Sequence, residues 1–195
     1  MPTLEEFKLQ TRAWLEENCP PSQRRPVIKE EQIWAGRDRT FPSPDAKLWF
    51  ERMRDKGWTA PTWPTEYGGG GLSSEEEKIL EKEMARLHCR PPLYDLGLWM
   101  LGPALLVHGN EEQKREHITK IVRGDIRWAQ GYSEPAAGSD LASLKTRADD
   151  KGDHFLVNGT KIWTTQADKA DWIFTLVRTD ATGNPTFVDF EVPVA

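Results

Sequence analysis

The chain has 195 residues, which suits one large domain or two small ones. Its formal net charge of −5, from 26 basic and 31 acidic residues, lacks the basic excess of a nucleic-acid-binding domain. Two cysteines, Cys19 and Cys89, are too few for a disulfide framework and fit a reducing compartment. The start of the chain has no secretory apolar core, and the longest apolar stretch, residues 96–107, is shorter than the ~20 residues that span a bilayer. We therefore expect a cytoplasmic protein with no membrane span and no nucleic-acid partner.

The first helices are predicted from their caps. Thr3 and Glu6 form a capping-box pattern that opens a helix ending near Asn18. Ser43 followed by Pro44 predicts the cap and the first position of a second helix.

Three further helices are predicted up to Gly124. Ser74 and Glu77 fit another capping box. A more apolar helix is expected from about residue 94 to residue 107, buried on most sides. Asn110 predicts the cap of a short helix that stops at Gly124.

After Gly124 the pattern changes from helices to strands. Three runs rich in β-branched and aromatic residues predict strands: 126–132, 171–179 and 186–192. The Asn158-Gly159 pair, set between alternating apolar residues, predicts a hairpin turn.

Two polar segments carry the candidate chemistry. Residues 131–140 read GYSEPAAGSD, and residues 161–172 read KIWTTQADKADW. A flavin needs hydrogen-bond donors near the ring edge where negative charge gathers, and a flat apolar partner with a donor near N5. Trp163 beside two threonines matches that need. A surface loop ahead of a hairpin, with a core tryptophan, is the alternative that residue types alone leave open.

Two other features predict no site. The run Gly68 to Gly71 lacks the lysine of a phosphate-binding loop and follows no predicted strand, so it should connect helices. None of the four histidines has a second potential metal ligand at a suitable spacing, so we expect no metal site. They are His88, His108, His117 and His154.

The sequence resembles the acyl-CoA dehydrogenase family. Residues 128–180 are similar to its middle domain, with the Ser-Glu-Pro-x-Ala-Gly-Ser-Asp signature and a Lys-x-Trp segment. Residues 57–69 resemble the family's Gly-Trp…Tyr-Gly-Gly loop, and residues 108–125 resemble the helix that leads into its first strand. The similarity covers about residues 4–180 in the family's order.

The resemblance implies an α+β multidomain fold. Residues 1–124 would form the family's N-terminal all-α domain, and residues 125–195 a truncated, partial β-barrel-like middle domain. The family's C-terminal helical bundle is expected to be absent. The last stretch, from Ala181, departs from the strand pattern that the family has there.

The same resemblance implies FAD as cofactor. Tyr132 and Ser133 would face the pyrimidine edge of the flavin, Trp163 its ring face, and Thr165 its N5 atom. Ser139 resembles the serine near the cofactor pyrophosphate and the acyl-CoA pantetheine, so it is also the predicted substrate-binding residue. The complete predicted cofactor set is Gln130, Gly131, Tyr132, Ser133, Ser139, Trp163, Thr164 and Thr165.

The implied reaction is α,β-dehydrogenation of an acyl-CoA thioester to the 2,3-enoyl-CoA. In the family a glutamate removes the α-proton; we expect this base beyond Ala195, assign no catalytic residue here, and expect the chain alone to be inactive. Implied partners are the acyl-CoA thioester, an electron-transfer flavoprotein or other acceptor, and further subunits of a homo- or hetero-oligomer. The alternatives are a non-catalytic short subunit that completes a site with a partner chain, and a flavin oxidase or monooxygenase of the same fold.

Overall fold

Helices occupy the chain as far as Val122, and strands follow them. The computed structural model describes residues 3–179 and 185–191. The chain divides into two compact units, Met1–Asp125 and Ile126–Ala195. The change from helix to strand predicted after Gly124 therefore coincides with a change of unit.

Within its described residues, the helical unit contains six α-helices, and two of them continue π-helical turns. Their bounds are α1 Leu4–Asn18, α2 Pro44–Asp55, α3 Ser74–Arg86, α4 Gly102–His108, α5 Glu111–Gln113 and α6 Thr119–Val122. The π-helical turns are Gly97–Leu101 before α4 and Lys114–Ile118 between α5 and α6. Short 3-10 turns connect other elements of the chain: Pro21–Gln23, Lys29–Glu31, Thr65–Tyr67, Leu141–Ser143 and Ala167–Lys169.

The predicted helix caps are confirmed at α1, α2 and α5. Thr3 and Glu6 form the reciprocal capping box of α1, and the helix ends at Asn18 as predicted. The Ser43 hydroxyl accepts the N–H of Ala46 at the start of α2. Each cap satisfies backbone donors that the first helical turn leaves without partners.

The capping box predicted for α3 is wrong by one residue. The Ser73 N–H donates to the Glu76 carboxylate at 2.8 Å, and the Ser73 hydroxyl accepts the N–H of Glu76 at 3.2 Å. The sequence Ser-Ser-Glu-Glu-Glu fits the pattern in two registers, and α3 uses the earlier one.

The apolar helix expected from 94 to 107 is shorter and more exposed than predicted. Pro103 has no N–H to donate to the Trp99 carbonyl, and the turn before it winds as a π-helix. Leu101 and Leu105 are buried, whereas Trp99 is 52% exposed and Val107 is 73% exposed. Among the described residues, no helix combines the length and the apolar character needed to cross a membrane.

Helix α2 supplies side chains to two apolar clusters of the helical unit. Trp49 and Met53, one helical turn apart, join a cluster with Leu15, Cys19, Trp58 and Leu80. Ala46 and Phe50, also one turn apart, join a second cluster with Ile33, Ala35 and Leu93. Residues four apart share one face of a helix, so α2 is the element that joins the two halves of this core.

A polar network joins α1 to α3. Two guanidinium nitrogens of Arg12, Nε and Nη2, each donate to the Glu83 carboxylate at 2.9 Å, and Arg86 donates to the same carboxylate at 2.7 Å. Arg86 also reaches Glu16 on α1 at 2.6 Å. The hydrogen bond from Arg12, helped by Arg86, lowers the pKa of Glu83 to about 2 although burial opposes ionisation.

In the second unit the strands form a mixed sheet around its longest interior strand. The strands are β1 Trp128–Gly131, β2 Arg147–Asp150, β3 Phe155–Asn158, β4 Trp172–Arg178 and β5 Pro185–Glu191. Strand β4 pairs in parallel with β1 and antiparallel with β5, and β2 pairs antiparallel with β3. A single parallel register, Arg147 opposite Arg178, connects β2 to β4. The described strands make an open sheet rather than a closed barrel.

The hairpin turn predicted at Asn158-Gly159 is wrong. The turn lies at residues 151–154, where the Lys151 N–H donates to the His154 carbonyl at 2.9 Å, and β3 ends at Asn158. Gly159 has a different role: a Cβ there would lie 2.2 Å from the Thr146 hydroxyl. A close approach, rather than a tight turn, requires this glycine.

We predict that Glu83→Gln lowers the free energy of unfolding by roughly 1–3 kcal/mol, because two arginines then lose their buried anion. The folded pKa of Glu83, about 2, is below its ordinary value of 4.5, so its contribution is complete above pH 4.5 and disappears as pH falls towards 2. Urea unfolding from pH 7 to pH 2 measures this difference. Glu81→Gln, an exposed site on the same helix, is the control; an equal effect of both changes would contradict the prediction.

Candidate functional site

The two polar segments are joined by a buried ion pair, Glu134 with Lys161. The Lys161 ammonium donates to the Glu134 carboxylate at 2.9 Å, to the Tyr132 carbonyl at 3.1 Å and to the Leu176 carbonyl at 2.7 Å. The side chains of Lys161 and Glu134 are 13% and 7% exposed. An ammonium has three donors, so all of them are used. The Lys161 side chain therefore connects its own segment to residues 132–134 and to strand β4.

The Glu134 carboxylate also organises its own loop. It accepts the backbone N–H groups of Lys145 at 2.6 Å and Thr146 at 2.9 Å. The Glu134 backbone exchanges two hydrogen bonds with Ala137, which close the turn around Pro135. Burial acts to raise the pKa of Glu134, but the hydrogen bonds from Thr146, Lys145 and Lys161 outweigh it and lower the pKa to about 2. This carboxylate is therefore ionised and structurally occupied.

Backbone contacts continue from this ion pair. The Ile162 N–H donates to the Ser133 carbonyl at 2.9 Å, so the residue before Trp163 lies against the loop. Gly131, at the end of β1, accepts a hydrogen bond from the Thr175 hydroxyl. A Cβ at Gly131 would lie 2.8 Å from that hydroxyl, so the strand fits here only with a glycine.

Trp163 has an unusual conformation and environment. Its φ of 57° lies in the left-handed region, which a bulky residue rarely adopts. Its side chain is 85% exposed. The alternative of a core tryptophan is therefore wrong. Backbone strain at an exposed aromatic residue is typical of a position held for function rather than for packing.

The structure gathers some of the predicted site residues and leaves others apart. Gln130 and Gly131 lie on β1, opposite Phe174 and Thr175 of β4. The Tyr132 ring packs edge-on against the Phe174 ring, with centroids 5.8 Å apart. The Ser133–Ile162 hydrogen bond brings the residue before Trp163 to the loop that follows this strand.

Three predicted residues lie outside that contact. Ser139 occupies an exposed bend of the loop, Thr165 is exposed, and Thr164 is half-buried, with its carbonyl accepting the N–H of Ala167. In the part of the chain that the structure describes, no side-chain hydrogen bond ties Ser139 or Thr165 to the ion pair. Both residues are exposed to solvent.

The arrangement fits one wall of a flavin site. It offers a flat, exposed indole at Trp163, exposed hydroxyl-bearing residues at Ser139 and Thr165, and a loop of mostly small residues around Ser139. Across residues 3–179 and strand β5, no group of three or more metal-ligating side chains comes together.

Sequence reasoning missed the residue that assembles this wall. Lys161 was part of a recognised segment but had no assigned role, and its partner Glu134 lies 27 residues earlier. No local sequence pattern marks such a pair. The available signal is the acidic residue Glu134 in a loop of small residues, because a carboxylate that becomes buried needs a cation beside it.

Comparison with known proteins gives consistent matches along the chain. The family model described as acyl-CoA dehydrogenase, N-terminal domain, matches residues 1–125, and the model of the middle domain matches residues 129–193. The expectation that the stretch from Ala181 departs from the family is wrong, because the second match continues through it to residue 193. Acyl-CoA dehydrogenase IpdE1 of Mycobacterium tuberculosis is 36% identical over 92% of this chain and 46% of its own length. Isovaleryl-CoA dehydrogenase of Bos taurus is 33% identical over 76% of this chain and 35% of its own length.

Solved structures show the same similarity. The Tcur3481-Tcur3483 steroid ACAD has a TM-score of 0.67 and 33% identity, over 96% of this chain and 47% of the other. The ChsE4-ChsE5 complex from Mycobacterium tuberculosis has a TM-score of 0.66 and 30% identity, over 98% of this chain and 47% of the other. The chain spans about half the length of the curated relatives it matches.

We predict that Lys161→Met destabilises the strand unit by about 3–5 kcal/mol, because it leaves the Glu134 carboxylate buried without its cation. Adding Glu134→Gln to Lys161→Met should recover part of this loss, since the unpaired charge is then removed. Urea unfolding, followed by tryptophan fluorescence, measures all three proteins. Lys169→Met changes an exposed lysine of the same unit and should have little effect; a loss at Lys161 no larger than at Lys169 would show that the pair does not hold the segments.

Proposed function

Because the chain belongs to the acyl-CoA dehydrogenase family, we propose that it supplies the N-terminal half of an FAD-dependent acyl-CoA dehydrogenase. The substrate is an acyl-CoA thioester, and the product is the 2,3-enoyl-CoA. The observation that carries the proposal is Trp163: an exposed indole in a left-handed backbone conformation, held beside the Ser133 loop by the Lys161 ion pair. A flat ligand that packs on this indole explains why the strain and the exposure are tolerated.

The residues of this wall have separate roles towards FAD. Trp163 provides the apolar face for the ring, and the Thr165 hydroxyl is the donor for N5. Tyr132 and Ser133 present backbone and hydroxyl groups to the pyrimidine edge, and Gln130, Gly131 and Thr164 complete the strand and segment that carry them. Bound FAD supplies the hydride acceptor for the β carbon of the substrate.

Ser139 is the residue assigned to both ligands. Ser139 is exposed near the small Ala136, and a Cβ at Gly138 would meet nothing within 4 Å, so the loop leaves room for a phosphate or a pantetheine chain. This position favours a thioester of coenzyme A over a free acid, because the loop then binds a part of the substrate that does not react.

Glu134 is a positioning residue rather than the catalytic base. A general base works best with a pKa near the operating pH, whereas Glu134 has a pKa of about 2 and accepts hydrogen bonds from three neighbours. Glu134 is thus removed as a candidate for the base that takes the α-proton.

A second candidate function follows from the solved structures. Two similar structures carry two-component names, Tcur3481-Tcur3483 and ChsE4-ChsE5. These two-component names favour assembly of the chain with further subunits. In that case the chain is a short subunit that completes the site with a different chain. The steroid ACAD among them favours a polycyclic thioester as substrate. The electron acceptor is an electron-transfer flavoprotein or a protein of equivalent function.

We predict that Trp163→Ala weakens FAD retention in the completed enzyme by about tenfold or more, since packing an aromatic ring contributes roughly 1–3 kcal/mol. The flavin absorbance per protein after dialysis, and titration of the apoprotein with FAD, measure the change. The matched control is Phe155→Ala, a partly exposed aromatic residue of the same unit. Equal flavin content in the two variants would remove Trp163 from the cofactor site.

A further inference from the structure

Helices α1 and α3 lie side by side in the same direction, and their ion pairs join residues about 70 positions apart in the sequence. Arg12 on α1 contacts Glu83 on α3, 71 residues later, and Glu16 contacts Arg86, 70 residues later. The same offset of 70 residues separates Cys19 and Cys89, just beyond the ends of the two helices. Cys19 belongs to the apolar cluster at this end of the two helices, and Cys89 packs against the same cluster.

The end of α3 turns Cys89 towards α1. His88 has a φ of 54°, in the left-handed region, and its N–H donates to the Ala85 carbonyl at 3.1 Å. The Cys89 N–H reaches back five residues to the Met84 carbonyl at 2.8 Å. These two bonds define a Schellman motif, in which the residue after the left-handed position packs back on the helix.

Cys19 is fixed on the opposite side of this contact. Its N–H donates to the Leu15 carbonyl at 2.9 Å, and its side chain is buried in the cluster of Trp49, Met53 and Trp58. Cys89 packs against the same cluster but is only half-buried. The Cys89 thiol is therefore partly accessible to a small reagent, whereas the Cys19 thiol is buried.

The charges around the pair distinguish the two thiols. The neighbouring Cys19 thiol, with the cations of Arg24 and Arg86, lowers the pKa of Cys89 although burial opposes this. The neighbouring Cys89, together with burial, raises the pKa of Cys19, and the Cys19 thiol donates to the Pro20 carbonyl at 3.9 Å. Since the thiolate is the nucleophile, Cys89 reacts first.

We propose that Cys19 and Cys89 are a redox-responsive pair that closes into an intramolecular disulfide when the protein meets a low-molecular-weight disulfide. The Cys89 thiolate attacks the reagent, forms a mixed disulfide and releases one small thiolate. The Cys19 thiol then loses its proton and attacks the Cys89 sulfur, which releases the second small thiol. Two protein thiols are oxidised, and one small disulfide is reduced to two thiols.

The disulfide would lock the ends of α1 and α3 together. It closes a long loop that includes α2, so it restricts the unfolded chain more than the folded one. The oxidised helical unit should therefore resist unfolding better than the reduced one. The stability of the helical unit would thus depend on the thiol redox state of its surroundings.

The test is incubation of the purified chain with oxidised glutathione, followed by intact mass measurement, peptide mapping and thermal unfolding. We expect the loss of both free thiols, a mass lower by two hydrogen atoms, and a cross-linked peptide that joins Cys19 to Cys89. The melting temperature should rise by several degrees and return after reduction.

Two variants identify the order of reaction. Cys19→Ser should stop at a glutathione adduct on Cys89, because no second thiol resolves it. Cys89→Ser should leave Cys19 unmodified under the same conditions. A stable glutathione adduct on the wild-type chain, a disulfide between two chains, or unmodified thiols in the wild type would each overturn the proposal.

Discussion

A buried ammonium holds the candidate site together. The Lys161 ammonium donates three hydrogen bonds, to the Glu134 carboxylate, the Tyr132 carbonyl and the Leu176 carbonyl. Burying a charge without partners is strongly unfavourable, so these groups have to stay together for the strand unit to fold. The same contacts bring the loop that begins at Gly131 next to the segment that carries Trp163. Folding and the geometry of the site thus depend on one interaction.

The exposure and strain of Trp163 follow from that arrangement. The Ile162 N–H donates to the Ser133 carbonyl, and the Lys161 ammonium donates to Glu134. These bonds fix the backbone of the two residues that precede Trp163. The residue then adopts a left-handed backbone conformation with its indole pointing away from the core. A bulky side chain rarely has this conformation, and nearby contacts have to impose it. The position is understandable if a flat cofactor covers the ring.

How well the sequence predicted each feature depended on the range of the interaction behind it. The caps at Thr3, Ser43 and Asn110 were predicted correctly because a cap involves residues three positions apart. The Ser-Ser-Glu-Glu run gave the wrong register for α3, because two registers satisfy the same local rule. Gly159 predicted a turn but is needed for the approach of Thr146, a contact that no local pattern contains.

The candidate site was predictable only in part. The residue types of the two segments are compatible with a flavin wall, and the family resemblance assigned individual roles, which stay predictions. The pairing of Glu134 with Lys161 could not be obtained from the sequence, because it joins residues far apart in the chain and depends on burial. The left-handed backbone at Trp163 was equally inaccessible, since no glycine or asparagine marks it.

The account is tested most directly by the crystal structure of the completed enzyme with FAD bound. We predict that the isoalloxazine ring packs on the Trp163 indole at van der Waals distance, about 3.5–4 Å, with the Lys161–Glu134 pair intact beside it. A flavin bound away from Trp163, or a Trp163 that moves into the core while Lys161 leaves Glu134, would contradict the account.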